Sequence, residues 1–234
     1  MADLPADRPY TVLSCCISLD GYLDDASERR LVLSNAADLT RVDALRAACD
    51  AILVGAATVR NDDPRLLVRS ARRRAHRARG GRPADPLKVT VTTTAKLDPG
   101  AQFFAAGDGD RLVYAARPAV EAARRLAGTR ADVVDGGPSP TMTGLCRVLA
   151  ARGVRRLLVE GGGSVLTQFL TQGLADELQL AVAPLFVGDG AGTRFVGTGE
   201  FPWNSHRRAG LVGSRSVGDV VVLRYALSER CPRA

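Results

Sequence analysis

The stretch "RRLLVEGGGSVLTQFL", residues 155–170, decides the fold of this chain. Its first part, "RRLLVE", is a short apolar run that ends in an acidic residue, which is typical of a buried strand in a parallel sheet. Its last part, "SVLTQFL", has apolar residues at 165, 166, 169 and 170, the spacing of one helix face. A strand, a glycine turn and a helix in this order predict a turn at the carboxyl end of a parallel strand.

The rest of the chain also alternates short apolar runs with helical patterns. We predict strands at residues 10–17, 51–55, 87–92, 111–116, 155–161, 178–188 and 220–227. We predict helices at residues 36–49, 119–126, 142–152 and 164–172. This alternation indicates an α/β fold with a single, mixed and mostly parallel sheet, flanked by helices on both faces. The two long apolar runs after the last helix predict antiparallel strands added at one side.

No linker divides the 234 residues, so we expect one domain over residues 1–234 with a folded core at 9–227. The segment "RSARRRAHRARGGR", residues 69–82, carries much of the net charge of +7. It lacks aromatic residues to stack on bases and is broken by glycines, so we interpret residues 70–86 as a solvated basic loop. The polar tail at 228–234 is predicted to be frayed.

Composition narrows the class of protein further. The chain has no stretch near the roughly 20 apolar residues that a membrane span needs, and its start lacks the pattern of a secretory leader. We therefore expect a cytoplasmic protein. The cysteines have irregular spacing and no histidine near them, so we expect neither a disulfide framework nor a metal site. They are Cys15, Cys16, Cys49, Cys146 and Cys231.

The glycines at 161–163 fit two interpretations. A helix start offers unpaired N–H groups and glycine lets a phosphate approach the main chain, which favours a cradle for a phosphorylated ligand. The alternative is a tight turn capped by Ser164. The pattern is not a complete dinucleotide fingerprint, because Leu166 occupies the third glycine position, and it is not a P-loop. Glu160 favours a ligand site, because a carboxylate is costly to bury without a partner.

A second cluster lies in "DAILVGAATVRNDDPRLLVR", residues 50–69, where polar side chains follow another buried strand. Arginines beside strand ends suit bidentate contact with a phosphate. A solvated face is the alternative for Arg65 and Arg69. For Asp62 or Asp63, the alternative to a ligand contact is a cap on the turn that follows.

Taken together, three stretches resemble the reductase of riboflavin biosynthesis, which is the partner half of the bifunctional pyrimidine deaminase-reductase. They are "SLDGYL" (18–23), "LRAACDAILVGAATVRNDDPRLLVR" (45–69) and "VEGGGSVLTQFLTQGLADELQLAVAPLFVGDG" (159–190). The similarity runs from about Pro9 to Tyr225, and the zinc motif of the deaminase is missing, so the chain resembles a stand-alone reductase. The resemblance implies a dihydrofolate reductase-like fold and a homodimer, for which the apolar run at 178–188 is a candidate interface. A core strand is the alternative for that run.

The resemblance also implies site residues. The nicotinamide nucleotide site of the family falls on Cys16, Thr58, Asp62, Thr93, Gly162, Gly163, Ser164, Val165, Leu166, Thr167 and Gln168. Its substrate contacts fall on Arg46, Leu66, Arg69 and Glu160. From the residues alone, Arg46 is a surface salt-bridge partner, and Thr58 and Thr93 are ordinary hydroxyls at strand ends.

The implied reaction is the NADPH-dependent reduction of a ribosylamino-pyrimidine 5′-phosphate to its ribitylamino form. Opening of the ribose ring gives an imine at the first sugar carbon, which accepts the hydride. Asp62 and Glu160 are the carboxylates expected to orient the substrate or the nicotinamide, and we assign neither as a general acid. The partner implied is thus a small phosphorylated pyrimidine, with no metal, nucleic acid or membrane.

Two features depart from the bifunctional bacterial members. Ser14 stands where they usually carry a lysine, and "RLVLSN" (30–35) replaces an aromatic-Ile-Ser/Thr segment. Archaeal and fungal reductases, which act before deamination, also lack the lysine. The sequence therefore leaves open the deaminated or diamino pyrimidine, and NADPH or NADH. A related reductase of a pterin or a secondary-metabolite imine is the enzyme alternative, and a phosphate or nucleic-acid binding module is the alternative of another class.

Overall fold

The computed structural model describes residues 7–27 and 31–232. Its strands are β1 (Tyr10–Ile17), β2 (Tyr22–Asp24), β3 (Ala51–Gly55), β4 (Leu87–Thr92), β5 (Arg111–Ala115), β6 (Asp132–Asp135), β7 (Arg156–Gly161), β8 (Glu177–Val182), β9 (Thr193–Arg194), β10 (Gly210–Val217) and β11 (Val220–Ala226). Its helices are α1 (Ala36–Ala48), α2 (Ala56–Asp62), α3 (Ala71–Arg79), α4 (Gln102–Ala105), α5 (Val120–Ala127), α6 (Met142–Ala151) and α7 (Gly163–Thr171), with one 3₁₀ turn at Arg117–Ala119. None of these described helices is long and apolar enough to cross a membrane.

Each predicted strand and helix is present, and the predicted mixed, mostly parallel sheet with helices is confirmed. The run predicted as one long strand at 178–188 is shorter, because β8 ends two residues before Pro184, which has no N–H for a sheet. Arg30, the first residue of "RLVLSN", lies outside the described residues.

The chain divides into two compact units. Of the described residues, the first unit comprises 7–9 and 43–158, and the second comprises 10–27, 31–42 and 159–232. The expectation of one domain over residues 1–234 stays a prediction.

The first unit is built on the parallel strands β3, β4, β5 and β6, paired in that order. All five residues of β3 are buried, as expected for a central parallel strand covered on both faces. Leu53, Val89 and Leu112 lie side by side on three neighbouring strands and are fully buried. Parallel pairing brings the carboxyl ends of β3 and β4 to one edge of the sheet.

The second unit combines parallel and antiparallel strands. β8 pairs with β1 in parallel and with β11 antiparallel, and β10 continues the antiparallel side. The prediction of antiparallel strands added at one side is therefore confirmed. Its core cluster includes Ala181, Ala183, Val220 and Val222, with Leu33 packed among them.

The interpretation of residues 70–86 as a basic loop is wrong, because Ala71–Arg79 forms helix α3. The side chain of Ser70 caps this helix by accepting the N–H of Arg73 at 3.4 Å. Arg77 is 1% exposed, and its guanidinium donates to main-chain carbonyls, including that of Cys49 at 2.6 Å. The arginines were expected to be solvated, whereas several of them bind groups inside the protein.

The predicted fraying of the tail is also wrong for its first residues. The hydroxyl of Ser228 donates to Asp176 at 2.6 Å, and Arg230 forms an ion pair with the same carboxylate at 3.2 Å. Cys231 is 3% exposed. Buried acceptors therefore hold the tail, and residues 233–234 lie outside the described residues.

Candidate functional site

The glycine turn, residues 161–164, joins β7 to α7. Gly162 has φ +80° and ψ 114°, a left-handed conformation that favours glycine. No side chain caps α7, and Ser164 lies inside its first turn. The alternative of a turn capped by Ser164 is therefore wrong.

The start of α7 exposes main-chain donors. The N–H groups of Val165 and Leu166 both donate to the carbonyl of Gly162, at 2.9 and 3.1 Å. Within the described part of the chain, the N–H groups of Gly162, Gly163 and Ser164 have no hydrogen-bond partner. Three such donors at an uncapped helix start match the needs of an anionic ligand.

One side chain braces the glycine turn from within α7. The hydroxyl of Thr167 donates to the carbonyl of Gly163 at 2.7 Å and accepts the N–H of Gly197 at 2.9 Å. A Cβ atom at position 163 would lie 2.6 Å from the carbonyl oxygen of Arg194. Gly163 is thus required by the packing of the chain around Arg194, whether or not a ligand binds.

Two further predicted site residues belong to the second unit. Glu160 is the half-buried penultimate residue of β7, so it directly precedes the glycine turn. Cys16 is the half-buried penultimate residue of β1. Burial raises the pKa of the Cys16 thiol, and a hydrogen bond with Ser34 offsets only part of this effect. A neutral thiol suits a packing contact and not a nucleophile.

The first unit gathers three predicted cofactor residues at one sheet edge. Thr58 and Asp62 lie on α2, which follows β3 directly, and Thr93 follows β4 directly. Gly55 at the end of β3 pairs with Val91 near the end of β4, so these residues share an edge. All three have solvent access, since Thr58 and Asp62 are half-buried and Thr93 is exposed.

The sequence left open whether Asp62 or Asp63 caps the turn after α2, and the structure gives this role to Asp63. It has φ 41° and its carboxylate accepts the N–H of Gln102 at 2.7 Å. Asp62 precedes it as the last residue of α2.

The arginine segment, residues 66–70, connects the turn after α2 to helix α3. Leu66 has φ 52° and is 1% exposed, so a ligand could meet its main chain but not its side chain. Arg46, on α1, donates from Nη1 to the carbonyl of Leu67 at 3.1 Å. This contact ties the predicted substrate residue Arg46 directly to the segment that carries Leu66 and Arg69.

Two buried carboxylates hold the main chain of the arginine segment. Asp85 accepts the N–H of Val68 at 2.8 Å. Asp43 accepts the N–H groups of both Arg69 and Ser70. Sequence reasoning missed both carboxylates, because they lie 17 and 26 residues from the groups that they bind and no local motif marks them.

Most arginines that follow this segment are engaged inside the first unit. Arg73 pairs with Asp43 at 2.8 Å and Arg74 approaches Asp85 at 3.7 Å. Arg69 differs from them, because its side chain is exposed and its guanidinium has no ion pair or hydrogen bond among residues 7–27 and 31–232. The structure therefore leaves Arg69 available to an anion and gives Arg73 and Arg74 structural roles.

The chain matches the family model described as RibD C-terminal domain over residues 9–223. It is 38% identical over 182 residues to the 2,5-diamino-6-ribosylamino-4(3H)-pyrimidinone 5′-phosphate reductase of Archaeoglobus fulgidus, covering 77% of this chain and 83% of that protein. It is 32% identical over 223 residues to the protein of the same name from Methanothermobacter thermautotrophicus, covering 94% and 99%.

A solved structure supports the fold independently. A pyrimidine reductase-like protein from Corynebacterium diphtheriae matches with a TM-score of 0.79 at 22% identity, over 96% of this chain and 95% of that one. The likeness confirms the fold that the resemblance implied. With a family model that spans most of its length and two relatives above 30% identity, this chain belongs to the RibD C-terminal domain family.

Proposed function

We propose that this chain is an NADPH-dependent reductase that converts a ribosylamino-pyrimidine 5′-phosphate into the ribitylamino-pyrimidine 5′-phosphate, the reduction step of riboflavin biosynthesis. The observation that carries the proposal is the uncapped start of α7, whose three N–H groups have no partner among the described residues. Membership in the family and the names of two relatives support the same reaction.

The proposed cofactor site uses main-chain donors first. The N–H groups of the glycine turn fit the pyrophosphate of a nicotinamide nucleotide, because they are consecutive and glycine leaves the main chain accessible. When bound, NADPH would supply the hydride. The residues proposed to contact it are Cys16, Thr58, Asp62, Thr93 and residues 162–168.

The proposed substrate site uses side chains. Arg69 is the main candidate to bind the 5′-phosphate, because its guanidinium is exposed and its main chain is held in place. Arg46 is the second candidate, because its guanidinium donates to the carbonyl of Leu67 at 3.1 Å and so lies beside the arginine segment. Leu66 would offer its main chain, and Glu160 would accept a hydrogen bond from an N–H or hydroxyl of the substrate.

The chemical step adds a hydride to the first sugar carbon of the ring-opened imine and a proton to its nitrogen, which leaves an amine. The proton comes from water in this scheme, and Asp62 and Glu160 orient the reactants. Holding the reacting carbons in contact can supply roughly 7 to 11 kcal/mol of the barrier.

A turnover assay tests the proposal. We expect the purified protein to oxidise NADPH with a ribosylamino-pyrimidine phosphate, faster with the diamino form than with the deaminated form, since the diamino compound is in the names of both archaeal relatives. We also expect NADPH to be preferred over NADH. Oxidation of NADPH with a dihydropterin, and with neither pyrimidine phosphate, would replace the proposal by the pterin alternative.

A homodimer in the cytoplasm is also part of the proposal. An apolar face of the second unit supports the dimer: Val221 pairs with Val182, and Leu223 pairs with Leu180, on adjacent strands. These side chains point to the same face because residues alternate along a strand. Val221 is 42% exposed, and Leu211 on β10 extends the face with 61% exposure.

Light scattering of a charged variant tests the dimer. Val221→Asp places a carboxylate on the proposed interface and is expected to give monomers. Val32→Asp is the control, because Val32 is 69% exposed but is not part of β8, β10 or β11. Dimers in both variants, or monomers in the wild type, would contradict this interface.

A further inference from the structure

We infer that Asp43 is a positioning residue for the substrate, acting through the main chain of Arg69; the inference rests on the proposed function. Asp43 lies on α1 and is 4% exposed. One of its oxygens accepts the N–H of Arg69. The other accepts the N–H of Ser70 at 3.2 Å and a guanidinium N–H of Arg73 at 2.8 Å. Asp43 thus holds two consecutive peptide groups at the point where the Arg69 side chain begins.

The need for such a residue follows from the irregular path of the arginine segment. Residues 66–70 belong to no helix or strand, so their N–H and C=O groups need partners outside the usual ladders. Before Arg69, Asp85 accepts the N–H of Val68 and Arg46 donates to the carbonyl of Leu67. Asp43 accepts the next two N–H groups, those of Arg69 and Ser70. An exposed guanidinium on a fixed main chain loses less conformational freedom when it binds a phosphate.

Asp43 also determines which groups remain for the phosphate. A helix start is a favourable place for an anion, and at α3 this anion is the carboxylate of Asp43. Arg73 compensates its charge by pairing with it. The N–H groups of Arg69 and Ser70 are therefore occupied, and the side chain of Arg69 remains as the phosphate contact at this helix start.

Asp43→Asn tests the inference, because it keeps the size of the side chain and removes one acceptor. We expect the KM for the ribosylamino-pyrimidine phosphate to rise about 10-fold, with kcat changed by less than about 2-fold and NADPH affinity unchanged. Asp50→Asn is the matched control: the carboxylate of Asp50 also accepts two consecutive N–H groups, those of Arg155 at 3.0 Å and Arg156 at 2.9 Å. We expect its KM to equal that of the wild type.

A double variant separates positioning from general stability. If Asp43 acts through Arg69, Asp43→Asn should add nothing to the KM of Arg69→Ala, since the side chain that it positions is absent. Amide hydrogen exchange of the free protein should accelerate at residues 66–70 in Asp43→Asn and not in Asp50→Asn. Additive KM effects, or unchanged exchange at 66–70, would overturn the inference.

Asp43→Glu provides the conservative comparison and keeps the inference testable if Asp43→Asn fails to fold. It retains the charge and the acceptors one methylene further out, so its KM should lie between those of the wild type and Asp43→Asn. An Asp43→Glu enzyme with the wild-type KM and wild-type exchange at 66–70 would refute the positioning role. A wild type that turns over no pyrimidine phosphate would instead overturn the proposed function.

Discussion

The glycine turn at 161–164 and the arginine segment at 66–70 both lead into a helix, and they use their main-chain N–H groups in opposite ways. At the start of α7, three N–H groups have no partner in the described chain and no side chain caps the helix. At the start of α3, Asp43 accepts two N–H groups and Ser70 accepts a third. The first helix start offers its main chain to an anion, whereas the second uses it as a support for one arginine side chain.

This contrast predicts two kinds of sensitivity. The glycine turn depends on a left-handed conformation, so it should respond to a change of backbone freedom. The arginine segment depends on charged side chains, so it should respond to a change of charge.

The largest effect is expected at Gly162. In Gly162→Val, a branched side chain at φ +80° should distort the turn and remove about two charge-assisted hydrogen bonds to the cofactor, worth about 4 kcal/mol or about 1,000-fold in NADPH affinity. Titration calorimetry measures this loss. Gly153→Val is the control, because Gly153 also has φ +80° and a Cβ there meets no atom within 4 Å. Equal NADPH affinity in the two variants would contradict the proposed role of the glycine turn in binding the cofactor.

The second effect concerns Lys88, which is fully buried and donates to the carbonyl of Ala106 at 2.6 Å. Ala106 is followed by Gly107, which packs closely against the arginine segment: a Cβ added at Gly107 would lie 2.5 Å from the side chain of Leu67. Lys88 therefore supports the loop that packs against this segment. Burial lowers the pKa of Lys88 to about 8. The unfolded lysine keeps its proton up to a pH of about 10.4.

The sign of the pH dependence follows from these two values. Between pH 8 and about 10.4 the unfolded state binds more protons, so the free energy of unfolding should gain up to roughly 3 kcal/mol as the pH rises through this window. Urea unfolding of wild type and Lys88→Met should show this gain as a pH-dependent difference. Lys96→Met, at an exposed lysine, is the control. A difference independent of pH would contradict the buried charge.

The third effect is the loss of the phosphate contact in Arg69→Ala. One charge-assisted hydrogen bond of about 2 kcal/mol predicts a KM for the pyrimidine phosphate about 30-fold higher, with NADPH affinity unchanged. Arg72→Ala is the control, because Arg72 is an exposed arginine of the same region, on α3. Equal KM values for Arg69→Ala and the wild type would remove the arginine segment from the site.

The smallest effect is expected from Thr167→Val, which removes the hydroxyl between Gly163 and Gly197. We expect about 1 kcal/mol, or about 5-fold, in NADPH affinity, because the turn keeps its main-chain donors. Thr40→Val is the control, since Thr40 makes a comparable bond to the carbonyl of Ala36 within α1. A loss as large as that of Gly162→Val would show that side chains shape the glycine turn as well.

Local patterns explain why much of the fold was predictable. Buried strands such as β3 and amphipathic helices such as α7 have continuous or periodic apolar residues. β10 was missed because it is mostly exposed and has several polar residues. The helix α3 was missed because its sequence is almost entirely polar and its arginines bind groups distant in sequence.

The candidate site likewise has one part that could be predicted from the sequence and one part that could not. The glycine turn is contiguous in the sequence, so its residues and its position between β7 and α7 could be predicted. The support of the Arg69 main chain could not be predicted, because Asp43 lies 26 residues earlier in the sequence and meets Arg69 only in the folded chain. A residue whose role depends on distant partners leaves no spacing to recognise in one sequence.

The most direct test of the whole account is a single turnover with NADPH that carries deuterium at the transferable position of the nicotinamide. We predict one deuterium at the first carbon of the ribityl chain in the product, detected by mass spectrometry and NMR. Product formed without deuterium at that carbon would contradict it.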